Sequence, residues 1–123
     1  MQQLKIIEEF VKRNKIKTNV ISCKTIREKN GIPFSSRNFL LSSDQKNIGS
    51  KIYKLILKRK SDLLKKKILP VHIKHKIFKM GVKKIDYLKI LDINKLIKPY
   101  KKNNKYKIFI AYYLGSTRLI DNI

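Results

Sequence analysis

The residues best suited to chemistry are two adjacent serines and an arginine in the stretch Ser35–Asn38 (SSRN), which follows a glycine–proline loop. Hydroxyl groups donate hydrogen bonds to phosphate oxygens, and a guanidinium forms charge-assisted, bidentate bonds with them. With Gly31 at the base of the loop, backbone N–H groups, both hydroxyls and Arg37 can converge on one anion. A guanidinium there would also neutralise charge that develops on a leaving pyrophosphate. Taken alone, the stretch is also compatible with an ordinary polar loop.

Other candidate groups have simpler interpretations. His72 and His75 lie three residues apart on a predicted helix, a spacing at which two side chains can share a metal. No nearby Asp, Glu or Cys completes a ligand set, so we interpret them as surface histidines and predict no metal site. Cys23 is the only cysteine and has no disulfide partner within the chain; we interpret it as a small core residue. Tyr112 and Tyr113 could stack on bases, but their place in an apolar strand favours the core.

The charge of the chain is extreme for its length. Its 123 residues, enough for one domain with a modest core, carry 31 Lys and Arg against 8 Asp and Glu, a formal net charge of +23. This balance is typical of proteins that bind nucleic acid, an anionic membrane surface or a phosphorylated substrate. A skewed coding composition that favours Lys, Ile and Asn explains the same profile, because the lysines are scattered over every segment. Both interpretations stay open here.

No targeting or membrane segment is visible. The first ten residues, MQQLKIIEEF, are amphipathic and lack the apolar core of a signal peptide. The longest apolar run, residues 108–114, is far too short to span a bilayer. We therefore expect a cytoplasmic protein with no membrane partner.

Hydrophobic periodicity predicts the elements that position SSRN, in the order helix, strand, helices, strand, strand. Ahead of SSRN, we expect a helix over about residues 3–13, a short buried strand over 18–23 and a loop or irregular ribbon over 24–41. Behind SSRN, a serine cap and Asp44 begin a long helix whose apolar stripe runs towards residue 60. The fold class is therefore α+β.

The remainder of the chain is predicted to contain shorter elements. Two further helical pieces are expected over about residues 62–69 and 71–80, the second closed by Gly81. Strands are expected over 85–90 and 106–113, paired with one another, with a turn into a final strand within 114–121. A turn or one helical turn over 92–96 and a polar break over 101–105 separate the first two strands.

Four stretches, in this order and spacing, resemble one family. The stretches are QQL at residues 2–4, TIRE at 25–28 with NG and SSRNFLLS following, IDY at 85–87 with a later Asp92, and GSTRLIDN at 115–122. Together they resemble the C-terminal half of pantoate–β-alanine ligases over essentially the whole chain.

The resemblance implies a small C-terminal domain, of helices and a short antiparallel sheet, from a Rossmann-like enzyme of the nucleotidyltransferase superfamily. Residues 1–23 would be the last helix and strand of the Rossmann half, and 44–123 the C-terminal domain. Between them, residues 24–43 would form the ATP-phosphate loop and linker. SSRN is similar to the KMSKS loop of class I aminoacyl-tRNA synthetases, which clamps the triphosphate of ATP.

The resemblance also implies a reaction. ATP, with Mg²⁺ as charge-neutraliser, would adenylate pantoate, and the amine of β-alanine would displace AMP to give pantothenate. Gln3 would bind pantoate. Phe34 takes a position at which the family usually has Met or Leu. Carried over position by position, the ATP contacts would be Ile26, Phe34, Ser35, Ser36 and Arg37.

The family's N-terminal half, with its catalytic histidine, is not in this sequence. We therefore expect no catalytic residue here, and a fragment that needs that half in cis or in trans and is inactive alone. Apolar side chains such as Leu4, Ile7 and Val20 would then lack their normal cover. The family is expected to be homodimeric. The alternative is a small basic nucleic-acid-binding protein, although nucleic acid is the less expected partner.

Overall fold

The computed structural model describes residues 2–93 and 106–123. Their order is helix α1, a 3₁₀ helix, helices α2 and α3, and strands β1 to β3. The described part of the chain is thus α+β, with three α-helices and one three-stranded antiparallel sheet. The bounds are Gln2–Arg13 for α1, Ser36–Leu40 for the 3₁₀ helix, Ser43–Leu64 for α2, Pro70–Phe78 for α3, Lys84–Asp92 for β1, Tyr106–Leu114 for β2 and Thr117–Asn122 for β3.

The sheet has the order β1-β2-β3, so β2 is central and β3 is an edge strand. The predicted pairing of residues 85–90 with 106–113 is confirmed, since Leu88 lies opposite Ile110. The turn between β2 and β3 contains Gly115 at a positive φ of 59°. The predicted final strand is also confirmed.

Helices α2 and α3 pack on the sheet and form the core with it. Helix α2 packs on β2, α3 packs on β1, and the 3₁₀ helix contacts β3. Burying these apolar side chains is the main favourable term in folding. The largest fully buried side chains are Ile32, Ile52, Ile56, Leu63, Ile73, Ile77, Ile108 and Ile110.

Helix α2 begins where its cap signature predicts. The Ser42 side chain accepts a hydrogen bond from the Gln45 N–H, and the Gln45 side chain accepts one from the Ser42 N–H. This reciprocal capping box satisfies two N–H groups that would otherwise lack partners. The cap therefore fixes where the chain leaves the 3₁₀ helix that carries SSRN.

A tight hairpin over residues 26–34 precedes SSRN. Arg27 and Pro33 form an isolated antiparallel bridge, and Gly31 turns the chain at a φ of +91°. A Cβ at Gly31 would also collide with the ring of Tyr53 on α2. Only glycine meets both requirements, since it tolerates positive φ and close approach.

One ion pair joins this hairpin to the last strand. The Arg27 guanidinium donates to both Asp121 carboxylate oxygens, at 2.7 and 3.0 Å, and to the carbonyls of Gly31 and Asn122 at 3.0 and 3.1 Å. The central carbon of the guanidinium, Cζ, lies 4.4 Å from the centroid of the Tyr53 ring, in a cation–π contact. The pair thus ties together elements 94 residues apart in sequence.

Several predictions made from the sequence are wrong. Residues 18–23 form no strand and are mostly exposed, and Cys23 is an exposed thiol rather than a core residue. A β-rich segment needs a partner strand, and none of the described strands pairs with this one. The separate helical piece over 62–69 is absent, because α2 continues without a break to Leu64. The hairpin agrees with the loop or irregular ribbon expected over 24–41, whereas the 3₁₀ helix in the same range was not predicted.

Of the remaining predictions, some are confirmed, one is corrected, and some concern residues that the structure does not describe. The helix over 3–13 and the helix over 71–80 are confirmed within a few residues. Asp92 belongs to β1 rather than to a turn. The rest of the predicted turn at 94–96 and the polar break at 101–105 lie outside the described residues. Of the described helices, none has the length and apolar character needed to cross a bilayer.

The buried ion pair predicts a strong thermodynamic coupling. Replacing Arg27 with Met, or Asp121 with Asn, should each lower the free energy of unfolding by about 3 kcal/mol, because each leaves a buried polar group without its partner. The double variant should lose less than the sum, with a coupling of roughly 2 kcal/mol in urea unfolding. The matched control is the more exposed pair of Arg59 and Asp62 on α2, whose coupling should be about 0.5 kcal/mol. Additive losses at Arg27 and Asp121 would show that the pair does not hold the hairpin.

Candidate functional site

SSRN folds as the start of the 3₁₀ helix Ser36–Leu40. Ser35 caps it from an extended conformation, and its Oγ accepts a hydrogen bond from the Arg37 N–H at 3.3 Å. The hydroxyl hydrogen of Ser35 stays available to donate elsewhere, since a hydroxyl can accept and donate at once. Both serines and Arg37 are exposed. The local fold thus presents two hydroxyls and a guanidinium to solvent.

A cleft of about 190 Å³ opens between this segment and the last strand. On one side it is lined by the hairpin end and SSRN, and on the other by β3 and by Tyr112 of β2. The lining residues are Ile32, Pro33, Phe34, Ser35, Arg37, Asn38, Tyr112, Arg118, Leu119, Ile120 and Asp121. The site is therefore built from two parts of the chain that are far apart in sequence.

Arg37 is anchored to β3 through the backbone. Its Nη1 donates to the carbonyl oxygen of Arg118 at 3.2 Å. This bond uses one of the five N–H donors of the guanidinium and leaves the charge uncompensated. In the part of the chain that the structure describes, no carboxylate lies within ion-pair distance of Arg37.

Arg118, which lines the cleft, and Arg27, whose partner Asp121 lines it, differ in this respect. Arg27 is paired with Asp121, and Arg118 donates from Nε to Asp86 at 2.7 Å. A paired guanidinium offers less to a new anion, because its charge is already met. Arg37 is therefore the cation at this cleft best able to bind an anion.

Burial and the ion pair act in opposite directions on the charged groups beneath the cleft. Burial alone would lower the pKa of Arg27, but the hydrogen bonds and charge of Asp121 outweigh it and hold that pKa above its ordinary value. Burial raises the pKa of Asp121, and the guanidinium of Arg27 opposes that shift. Burial, with the charge of Asp121, also raises the pKa of Tyr112, so its hydroxyl keeps its proton across the physiological range.

A buried amide holds the segment in shape from below. Asn38, only 4% exposed, donates from Nδ2 to the Glu28 carboxylate at 2.5 Å and to the Pro33 carbonyl at 3.0 Å. Glu28 also accepts from the Asn30 amide at 3.1 Å. These bonds connect the hairpin to the 3₁₀ helix, so SSRN and the hairpin form one unit.

The residues expected to contact ATP separate into two groups. Phe34, Ser35 and Arg37 line the cleft, while Ser36 is exposed on the same helix without lining it. Ile26 lies opposite Phe34 in the hairpin, where its carbonyl accepts from the Phe34 N–H at 3.0 Å. The side chains of Ile26 and Phe34 are 74% and 70% exposed, so neither depends on packing within the described chain.

Gln3 lies apart from this group. It is exposed on α1 and is not among the residues that line the cleft. Nearby apolar side chains are also poorly covered, with Ile7 50% exposed and Leu4 and Val20 half-buried. The expected lack of cover is therefore observed at Ile7 and is partial at the other two.

Four residues of the site had no predicted role. Arg27, Asp121, Arg118 and Asn38 organise the cleft, although all belong to stretches already noted for their resemblance to the family. A signal for Asp121 existed, since a carboxylate within an apolar terminal strand needs a buried partner. Nothing in a single sequence identifies Arg27 as that partner.

The metal prediction concerns His72 and His75. Both are exposed on α3, as the interpretation as surface histidines requires. Among the described residues, no group of three His, Cys, Asp or Glu side chains could hold a metal ion. Tyr112 is buried and Tyr113 half-buried, as expected for side chains of a core strand.

Comparison with known proteins identifies the family. The family model described as pantoate-beta-alanine ligase matches residues 1–123. The pantothenate synthetase of Endomicrobium trichonymphae is 38% identical over 125 residues, which cover 99% of this chain and 44% of that protein. That of Buchnera aphidicola subsp. Acyrthosiphon pisum (strain APS) is 40% identical over 127 residues, which cover 98% of this chain and 44% of that protein. The chain thus spans less than half the length of the curated relatives it matches.

Two solved structures are also similar to this chain. The chain superposes with a TM-score of 0.70 and 35% identity on a pantoate-beta-alanine ligase from Francisella tularensis, solved with beta-gamma ATP and beta-alanine, covering 98% of this chain and 39% of that one. For pantothenate synthetase from Thermus thermophilus, the TM-score is 0.73 at 22% identity over 98% of this chain and 45% of that one, which shows a shared fold. Because the family model matches this chain from residue 1 to residue 123, the chain belongs to the pantoate-beta-alanine ligase family.

Proposed function

We propose that this chain forms the C-terminal portion of an ATP-dependent ligase that joins pantoate to β-alanine, with SSRN as its phosphate-binding segment. The observation that carries the proposal is the state of Arg37. It lines a cleft together with Ser35, is anchored by a backbone carbonyl, and has no carboxylate partner in the described part of the chain. An anchored, uncompensated guanidinium suits the phosphates of ATP.

The proposed reaction has two steps. A carboxylate oxygen of pantoate attacks the α-phosphorus of ATP, and the bond to the bridging oxygen breaks, so pyrophosphate leaves with that electron pair. The amine of β-alanine then attacks the acyl carbon of pantoyl-adenylate and displaces AMP, giving pantothenate. The Francisella tularensis relative was solved with beta-gamma ATP and beta-alanine, which supports ATP and β-alanine as substrates in this proposal.

In the first step, the residues of SSRN would act on the leaving group. The hydroxyls of Ser35 and Ser36 would donate to phosphate oxygens, and Arg37 would bind the oxygens whose negative charge increases as the bond breaks. Donors already held in place stabilise such charge without reorganising during the reaction.

The other predicted site residues would contact the rest of the substrates. Phe34 and the backbone at Ile26 would border the nucleotide, and Gln3 would donate to pantoate from α1.

Mg²⁺ would enter with ATP as part of the substrate. The described residues offer no cluster of carboxylates or histidines for it. Asp121, the acidic residue at the cleft, is occupied by Arg27. The proposal therefore gives this chain the role of positioning phosphates by hydrogen bonds and charge.

We further propose that residues 1–23 belong to a Rossmann-like half supplied in cis or in trans, residues 24–43 form the phosphate loop and linker, and residues 44–123 form the C-terminal domain. The catalytic histidine and the rest of the adenine site would lie with that half, and the assembled enzyme would be a cytoplasmic homodimer. Poorly covered side chains on α1 and after it, such as Phe10 and Ile21, support this division. Family membership favours the ligase over the nucleic-acid-binding alternative.

Removing the guanidinium should slow the first step. In an enzyme assembled from this chain and the N-terminal half of the Endomicrobium trichonymphae relative, Arg37→Ala should raise the barrier to pantoyl-adenylate formation by about 3 kcal/mol, as for one preorganised donor. Arg37→Lys should restore only part of the rate, because an ammonium keeps the charge and loses the fork. Pyrophosphate release in single-turnover experiments measures this step. Arg59→Ala, on α2, is the charge-matched control; an unchanged adenylation rate in Arg37→Ala would refute the phosphate role.

Gln3→Ala should have the complementary effect. Loss of a neutral hydrogen bond to pantoate should cost roughly 1 kcal/mol, seen as a higher KM for pantoate with ATP binding largely unchanged. Steady-state pyrophosphate release at varied pantoate and varied ATP separates the two effects. A raised KM for ATP with an unchanged KM for pantoate would remove Gln3 from the pantoate site.

A further inference from the structure

Three charged side chains lie together on the sheet at the edge of the cleft. Arg118 of β3 donates from Nε to Asp86 Oδ2 at 2.7 Å, and Lys84 Nζ of β1 lies 3.9 Å from Asp86 Oδ1. Lys84 and Arg118 are the cross-strand neighbours of Tyr113 on its two sides, and Lys84 Nζ lies 4.8 Å from the ring centroid. Two cations share one carboxylate, so the cluster carries an excess positive charge.

Asp86 reaches this position through an irregularity in β1. The pairing of β1 with β2 shifts register between Ile85 and Tyr87, which leaves Asp86 as the extra residue. A β-bulge redirects the side chain of its extra residue and often occurs beside functional sites. Here the carboxylate reaches across the central strand to β3.

Arg118 is placed at the same cleft as Arg37. It lines the cleft, and its carbonyl accepts the hydrogen bond that anchors Arg37. Asp86 accepts the hydrogen bond from Nε of Arg118, and among the described residues the Nη groups of Arg118 make no hydrogen bond. The ion pair is partly exposed on both sides, and exposed pairs contribute little to stability.

We propose that Arg118 is a second phosphate-binding residue, which exchanges Asp86 for phosphate oxygens when the polyphosphate chain of ATP enters the cleft. This inference rests on the proposed function of SSRN and adds a second cation to the same site. The exchange is favourable because a guanidinium binds phosphate through strong, bidentate, charge-assisted bonds. Asp86 then acts as a competitor that holds Arg118 in the absence of ligand and is left near Lys84 when the ligand binds.

The test uses the 123-residue chain and inorganic tripolyphosphate, followed by NMR through the Nε–H signals of Arg37 and Arg118. Arg118→Ala should weaken the affinity measured at Arg37 by about tenfold, the loss of one charge-assisted contact. Asp86→Asn should strengthen binding by about threefold, because the competing ion pair is removed. In the Arg118→Ala background, Asp86→Asn should change nothing.

Matched controls come from the pair on α2. Arg59→Ala and Asp62→Asn make the same charge changes in an ion pair of similar exposure, so they measure the general effect of charge on a strongly basic chain. They should leave the affinity at Arg37 within about twofold, since distant exposed charges are screened by salt. Backbone amide spectra establish that each variant is folded.

The outcomes distinguish this inference from the function on which it rests. If tripolyphosphate shifts no signal of SSRN in the unsubstituted chain, both proposals fail. If Arg37→Ala abolishes binding while Arg118→Ala behaves like Arg59→Ala, SSRN keeps its role and Arg118 loses the one proposed here. If Asp86→Asn strengthens binding equally with and without Arg118, the effect is through space and the exchange is refuted.

Discussion

The candidate site depends on one interaction, the ion pair between Arg27 and Asp121. The hairpin that leads into SSRN has a single bridge of its own, and the segment it carries is largely exposed. The guanidinium of Arg27 fixes the hairpin against the sheet. It donates to the Asp121 carboxylate and to two backbone carbonyls, and it lies over the ring of Tyr53. Because Asp121 belongs to β3, the pair brings the last strand to the cleft, where the carbonyl of Arg118 can anchor Arg37.

Pairing of charges distinguishes the site from the general basicity of the chain. A net charge of +23 attracts any polyanion weakly and in a salt-dependent way, and it can arise from coding composition alone. Arg27, beneath the cleft, is paired with the buried Asp121, and Arg118, at the cleft, is paired with the partly exposed Asp86. Arg37, also at the cleft, has no carboxylate partner among the described residues. Arg27 therefore suits a supporting role, Arg118 suits the proposed exchange of ligands, and Arg37 suits the proposed binding of phosphate. The proposed phosphate recognition thus rests on geometry, and the scattered lysines would supply only background attraction.

Local patterns predicted much of the fold. The alternation in residues 106–113, the cap before α2 and the glycine after α3 each depend on interactions within a few residues, and all three are observed. The predicted strand at 18–23 failed because β-propensity expresses a fit to a neighbouring strand, which the described chain does not provide. The boundary placed near residue 60 failed because packing carries α2 through a locally charged stretch.

The residues of the candidate site could be selected from the sequence, but the contacts that support them could not. Two hydroxyls beside an arginine are compatible with an anion site and also with an ordinary polar loop, and the family resemblance supplies the phosphate interpretation. The partnership of Arg27 with Asp121 joins residues 94 positions apart, and no propensity or spacing in one sequence encodes such a contact. The bulge that redirects Asp86 is likewise a property of the sheet, visible only once the register of β1 and β2 is known.

The proposed role of SSRN is to bind the phosphates of ATP. It can be tested in a crystal structure of the enzyme assembled from this chain and an N-terminal half, grown with a non-hydrolysable ATP analogue. We expect phosphate oxygens within about 3 Å of the Ser35 and Ser36 hydroxyls and of the Arg37 guanidinium, the ordinary range for such hydrogen bonds. A nucleotide bound in the enzyme with its phosphates away from these three side chains would refute this role.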